Sequence, residues 1–251
     1  SRLAEATEGR RYYRFIQMSF EEAVRQMSQV LAITGQVIPV TSADVQLEAV
    51  FENGTQVVGE SKICDFKKQQ DCRIHHVNLI PAKPEPLPSA LEAIRDADLI
   101  LLGPGSLYTS VIPNLLVEGM PQAIAETDAL KIYICNIMTQ DGETEGYTAA
   151  DHVQALMEHG APGMVDLCLA NCAPVPENLL GRYEEEGAVP LVVDRERIAA
   201  MGLELVERPV AREKGDFARH DPDKLAEAVL DIYRQRAMRI FRGKNRYIIE
   251  E

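Results

Sequence analysis

Apolar and polar positions follow two rhythms along this chain, and the change between them falls near residue 88. Ser1–Gly9 is polar, and Arg10, Arg11, Tyr12, Tyr13, Arg14 and Phe15 form a basic-aromatic patch. The first regular element is a helix predicted over Phe20–Thr34. Ser19 with Glu22 makes a capping box, Phe20, Val24, Met27 and Leu31 form an apolar stripe, and Gly35 ends it. An extended region follows. Val45, Leu47, Ala49 and Phe51 alternate with polar residues, Asn53-Gly54 supplies a tight turn, and Thr55–Val58 returns. A further extended run, Arg73–Ile80, places His75 and His76 on opposite faces of a strand, which is poor geometry for one shared metal. Pro81, Pro84, Pro86 and Pro88 then read as a linker.

Beyond the prolines, helical and extended periods alternate. Helix Ser89–Ala97 leads to strand Asp98–Leu102, and a helix at Pro121–Thr127 leads to strand Lys131–Ile137. Helix Ala149–His159 leads to strand Val165–Ala170, and helix Glu177–Glu186 to strand Val189–Val193. A short turn leads to strand Leu203–Val206, and a last helix spans Asp221–Arg239, with Asp221 at its cap and Pro222 in its first turn. Strands such as LILL and KIYICNI are apolar throughout, as parallel strands covered on both faces are. The pattern predicts an α/β fold, a Rossmann-like parallel sheet with helices on both faces. A single domain over 1–251 is expected, with 36–80 as a small inserted or appended β region.

Composition narrows the function. A net charge of −13 argues against a general nucleic-acid binder but leaves room for one small anionic ligand. No apolar run approaches the roughly 20 residues of a membrane span, and no signal-peptide core opens the chain. A soluble, cytoplasmic protein is therefore expected. The cysteines do not suggest disulfides, since Cys135 and Cys168 sit inside apolar strands. The Cys64/Cys72 and Cys168/Cys172 spacings lack the second pair of a structural zinc site, so no metal is expected.

The strongest local signal is the strand Leu99–Leu102 running into Gly103-Pro104-Gly105-Ser106-Leu107-Tyr108-Thr109-Ser110. Ligands of open parallel sheets bind beyond the carboxyl ends of the strands. Glycines admit a phosphate close to the backbone, and free amides at a helix start favour negative charge. A tight turn with no ligand is the plain alternative. Strand Lys131–Ile137 likewise ends in polar residues, Asn136, Thr139, Gln140, Asp141, Gly142, Glu143 and Thr144, suited to a sugar or base or merely to turns. Asp151 and His152 open the next helix, where a core or surface histidine is a commoner role than general base.

The stretches GPGSLYTSVIPNLLVEG (103–119), NIMTQDGETEGYTAADHVQAL (136–156) and RHDPDKLAEAVLDI (219–232) closely resemble the YvcK branch of the CofD-like family. That branch carries the older name of gluconeogenesis factor, and the likeness runs nearly continuously from about residue 20 to residue 232. The resemblance implies a Rossmann-like fold that binds nucleotide ligands, UDP-N-acetylglucosamine-type sugars above all. It also implies links to cell-envelope synthesis, cell shape and growth on gluconeogenic carbon. More distant CofD enzymes transfer a phospholactyl group from a guanosine diphosphate donor to a deazaflavin.

Family members usually begin with a strand, a GGGTG-type loop and an Asp-Asp-Gly-Gly-Ser-Ser-Gly-Arg-Leu segment. Here only Ser1-Arg2-Leu3 matches the tail of that segment, so segments of a longer protein are expected to be absent from this chain. The family's nucleotide-sugar-binding arginine maps onto Arg219, beside the helix start capped by Asp221, where a guanidinium fork suits a diphosphate. The bland alternative for Arg219 is a surface arginine in a flexible 211–219 loop. Candidate ligand-binding residues are Gly103, Pro104, Gly105, Ser106, Tyr108, Thr109, Ser110, Asn114, Asn136, Thr139, Gln140, Gly142, Glu143, Thr144 and Arg219.

Three classes of function compete. The favoured one is a nucleotide-sugar-binding regulatory protein, with no catalytic residue assigned, no cofactor required, and UDP-N-acetylglucosamine, other UDP-sugars or NAD as candidate ligands. The alternative is a CofD-like transferase using a nucleotide diphosphate donor, although the loop of those enzymes reads GPSNP where this chain has GPGSL. A dinucleotide oxidoreductase lacks its GxGxxG fingerprint here. An envelope-synthesis protein is the expected partner, nucleic acid is not, and homo-oligomerisation is left open.

Overall fold

The structure, a computed structural model, describes residues 19–30, 35–70, 72–185, 187–215 and 217–246. Helix α1 (Phe20–Val30) begins where predicted, and the Ser19 hydroxyl accepts the Glu22 amide at 3.2 Å. Its predicted continuation to Thr34 and the basic-aromatic patch lie outside the described residues. Phe20 and Met27 of its apolar stripe are exposed.

The 36–80 region builds a three-stranded antiparallel sheet with order β2-β1-β3. Its strands are β1 (Gln46–Phe51), β2 (Gln56–Val58) and β3 (Ile74–Ile80), and a helix, α2 (Glu60–Gln70), stands between β2 and β3. The alternation works as expected on the inner face, where Ala49, Phe51, Ile74 and Val77 are buried. Helix α2 corrects the purely β reading. Its sequence, ESKICDFKKQQ, has too few apolar positions to announce a helical stripe.

The second half is an α/β unit. Helix α3 (Pro88–Arg95) feeds β4 (Leu99–Leu102), then a π-helical turn (Leu107–Val111) runs into α4 (Ile112–Leu115) and α5 (Met120–Glu126). Strand β5 (Leu130–Ile134), helix α6 (Ala149–Glu158), strand β6 (Leu167–Asn171), helices α7 (Glu177–Glu185) and α8 (Arg195–Ala200), and strand β7 (Glu204–Arg208) follow. The four strands pair in parallel in the order β4-β5-β6-β7. A hairpin of β8 (Ala211–Lys214) and β9 (Phe217–His220) precedes the long helix α9 (Pro222–Arg246).

The central strands β5 and β6 bury both faces, as their apolar sequences require, while the edge strands β4 and β7 leave Leu101 and Glu204 exposed. Ile132, Ile134, Leu167 and Leu169 pack against Val229 and Ile232 of α9. Tyr133, Cys135, Cys168 and Ala170 face Ile112, Val153, Leu156 and Ile198, in a cluster that also takes in Phe51 and Ile63 of the small sheet and its helix. Helices thus cover both faces of the sheet, and one apolar core joins it to the 36–80 region.

Three details differ from expectation. Val189–Val193 is not a sheet strand but touches other segments through two isolated bridges, Met138 with Pro190 and Thr148 with Val192. The supposed turn before β7 contains α8, six residues with Ile198 buried. The 211–219 loop is the β8–β9 hairpin, whose charged sequence hides its pairing. Among the described residues, no helix is long and apolar enough to cross a membrane.

Candidate functional site

A cleft of about 860 Å³ opens at the carboxyl edge of the parallel sheet. Pro104, Gly105, Ser106 and Ser110 reach it from the turn after β4, and Asn136 to Asp141 from the segment after β5. Phe217, Ala218, Arg219 and His220 enter from β9, Lys68 from α2, and Tyr183 and Ala188 from α7 and just beyond it. The two sequence signals meet here, because the Ser106 hydroxyl donates to the Gln140 side-chain carbonyl at 2.8 Å.

Local chemistry fixes each wall. Gly103 has φ +87°, and a Cβ there would stand 3.1 Å from the Ile134 carbonyl oxygen, so any other residue strains the turn after β4. The segment after β5 is held by Thr139, whose amide donates to the Val189 carbonyl at 2.8 Å and whose hydroxyl accepts the Val189 amide at 2.9 Å. The Gln140 amide donates to the Thr144 hydroxyl at 3.0 Å. The hairpin is anchored twice. The Tyr183 hydroxyl accepts the Ala218 amide at 2.8 Å, and the Asn171 side-chain carbonyl accepts the amides of Val210 and Ala211 at 3.1 Å each. Arg219 is exposed, with its guanidinium 5.0 Å from the centre of the Phe217 ring. Asp221 caps α9 by accepting the amides of Asp223 and Lys224.

Charge inside the cleft is spare. The Lys68 ammonium stands 2.6 Å from an Asp141 carboxylate oxygen. Burial pushes the His220 imidazole down, against the pull of the Cys135 backbone, and its Nε2 has no hydrogen-bond partner among the described residues. His220 therefore stays neutral near pH 7.

Eight of the fifteen candidate residues line this cleft: Pro104, Gly105, Ser106, Ser110, Asn136, Thr139, Gln140 and Arg219. The other seven lie outside its lining. Gly103 shapes the turn, and Asn114 donates to the Ser110 carbonyl at 2.7 Å. Tyr108 is buried and shares a 2.9 Å hydrogen bond with the Tyr147 hydroxyl. Gly142, with φ +80°, lets the loop press against Lys68 and Cys64. Thr144 and Glu143 are fully buried. The Glu143 carboxylate stands beside the Thr109 hydroxyl and the amides of Tyr108, Thr109 and Leu107, short of full hydrogen-bonding geometry. Burial pushes its carboxyl up despite these donors. The amides expected to receive a phosphate thus face a carboxylate of the protein itself. His152, also fully buried, contacts the Thr148 carbonyl through Nδ1 at 2.9 Å, the core role rather than the general-base role.

Residues 11–211 match the family described as 2-phospho-L-lactate transferase CofD. The chain belongs to the CofD family. Within the family it sits with the gluconeogenesis factors, also known as the YvcK branch. It is 44% identical over 216 residues to the gluconeogenesis factor of Bacillus subtilis (strain 168), covering 86% of this chain and 67% of that protein. The corresponding protein of Halalkalibacterium halodurans is 43% identical over 212 residues, covering 84% and 65%. A crystal structure of a UPF0052-family member from Bacillus halodurans superposes with a TM-score of 0.79 at 43% identity, covering 84% of this chain and 67% of that one. The CofD-family chain therefore spans about two thirds of the length of these relatives.

Sequence reasoning missed several cleft residues of this CofD-family chain. His220 was legible in principle, since it adjoins Arg219 in the RHDPDKL stretch. Asp141 lay inside the polar run after β5. Lys68 carried no signal, because nothing in KKQQ tells which lysine will face a loop more than 70 residues away.

Proposed function

We propose that the cleft binds a nucleotide sugar of the UDP-N-acetylglucosamine kind, and that the protein acts in the cytoplasm as a regulatory binder rather than a turnover enzyme. Its output serves gluconeogenic growth, cell envelope and cell shape, through an envelope-synthesis protein. The observation that carries this reading is the convergence of Ser106, Asn136, Thr139, Gln140 and Arg219 on one cleft of about 860 Å³. That volume lies within the range of about 300–1,000 Å³ usual for ligand pockets. Hydroxyl and amide groups suit a sugar and a base, while a guanidinium fork suits a diphosphate. The Ser106 hydroxyl donates to an amide carbonyl rather than to a base, which favours binding over nucleophilic chemistry. The names of the relatives agree with a role in gluconeogenic growth.

The family description favours a second reading, a transferase using a nucleotide diphosphate donor. Calorimetric titration with UDP-N-acetylglucosamine, UDP-glucose, GDP and NAD separates the two. Tightest binding of the UDP-sugars supports the regulatory binder. Tightest binding of GDP, with phospholactyl transfer to a deazaflavin acceptor, replaces it with the transferase.

A further inference from the structure

Resting on the nucleotide-sugar assignment of the cleft, we propose that the Lys68–Asp141 ion pair is a ligand-operated latch. An anionic group of the ligand takes the Lys68 ammonium from Asp141, and Lys68 then becomes a direct contact to that group.

Two lysines at the end of α2 meet the loop after β5, and they do so differently. Lys67 is buried, 3% exposed, and pairs with Glu145 at 3.1 Å, while Glu145 also accepts the Gly142 amide. This inner pair holds helix to loop. Lys68, with a side chain 47% exposed, pairs with Asp141 at 2.6 Å, and both residues line the cleft. The outer pair repeats a bridge the inner pair already makes, at the position a ligand reaches.

The stem of Lys68 is confined even though its ammonium is exposed. A Cβ on Gly142 would stand 2.9 Å from its Cε and 3.0 Å from the Cys64 carbonyl oxygen, so the loop backbone lies directly against the lysine. Asp141 is similarly close to Gly187, 3.4 Å from where a Cβ there would stand. The stem is therefore bounded by the loop on one side, so the ammonium swings over a short range between Asp141 and the cleft.

Side chains must supply the positive charge for a phosphate, because the amides of Leu107, Tyr108 and Thr109 face Glu143. Among the described residues lining the cleft, Lys68 and Arg219 are the charged cations, His220 being neutral. In the free cleft Asp141 neutralises one of the two. Its hydrogen bond raises the Lys68 pKa, so the lysine stays charged at neutral pH. A half-exposed pair is weakly held, so its charge-assisted hydrogen bond can be exchanged at small cost for one of the same kind to a phosphate.

Three variants test this by calorimetric titration with UDP-N-acetylglucosamine and, separately, inorganic pyrophosphate. Asp141→Asn frees the lysine, and both probes should bind roughly two- to fivefold more tightly. Lys68→Met keeps the stem against Gly142 but removes the charge, and both should bind about tenfold to a hundredfold more weakly. The double variant should bind more weakly than the parent but no more weakly than Lys68→Met, which leaves the Asp141 carboxylate unpaired beside the anion. Weaker binding by Asp141→Asn would make the pair a plain brace and overturn the latch, as would parental affinity in Lys68→Met. If UDP-N-acetylglucosamine fails to bind the parent while pyrophosphate follows the stated order, the latch stands and the nucleotide-sugar assignment falls. If the parent binds the UDP-sugar and no variant alters its affinity, the assignment stands and the latch falls.

Discussion

Truncating Asn171 to alanine should loosen the hairpin that carries Arg219 without touching the cleft itself. Asn171 closes β6, and its side-chain carbonyl accepts the amides of Ala173, Val210 and Ala211 at 3.1 Å each, while Nδ2 donates to the Ala173 carbonyl at 2.8 Å. Val210 is 1% exposed, but its amide also donates to the Arg208 carbonyl at 2.9 Å, and Ala211 is partly open, so neither amide is left wholly unpaired. Each hydrogen bond lost costs about 0.5–1.5 kcal/mol, so losing the acceptor of three amides should cost roughly 2–4 kcal/mol. At about 2–4 °C per kcal/mol for a chain of this size, the melting temperature should fall by roughly 4–16 °C. Asn171→Asp keeps an acceptor for all three amides and should lose less. Circular-dichroism melts of the three proteins, with UDP-N-acetylglucosamine titrations beside them, measure both effects. A melting temperature within about 2 °C of the parent and an unchanged affinity would refute the anchoring role.

Gly103→Ala forces a side chain into φ +87° and within 3.1 Å of the Ile134 carbonyl oxygen, so a loss of about 1–3 kcal/mol is expected in urea unfolding. An unchanged midpoint would show that the turn relaxes freely. Arg219→Ala should weaken nucleotide-sugar binding roughly tenfold to several hundredfold, with Arg219→Lys recovering only part and the melting temperature barely moving. Unchanged affinity for every UDP-sugar removes Arg219 from the site. Burial lowers the pKa of His152, His159 and His220, so their stability contribution is full above the unfolded histidine value and lost as pH falls through the lower folded values. Glu143, pushed up by burial, acts in the opposite direction. Three histidines against one glutamate predict a melting temperature that falls from pH 7 to pH 5, and a rising one contradicts it.

The parallel sheet was legible through apolar stretches such as LILL and KIYICNI, as expected of covered parallel strands, whereas β7 at the edge reads ELVER. The turn after β4 was legible through its glycines, and its meeting with Gln140 followed from two strands sharing one carboxyl edge. Val189–Val193 misled because an apolar run registers burial and not pairing, and here Val189 and Val192 are exposed. Helix α8 is too short to show a period, and the β8–β9 hairpin alternates charged residues whose partners are fixed by Asn171 and Tyr183 at a distance. Tyr108, Glu143 and Thr144 were legible as polar residues near the cleft. Only three-dimensional placement assigns them to the core, because a buried polar group looks the same in sequence as one facing a ligand.

Hydrogen exchange of the chain with and without saturating UDP-N-acetylglucosamine tests most directly whether this cleft is the ligand site. Exchange should slow in residues 104–106, 136–141 and 217–220, the three segments that converge on the cleft. Slowing confined to the groove along Glu204–Arg208 and Ile232, or to the surface around Leu115–Gln122, would contradict the assignment, as would no change anywhere.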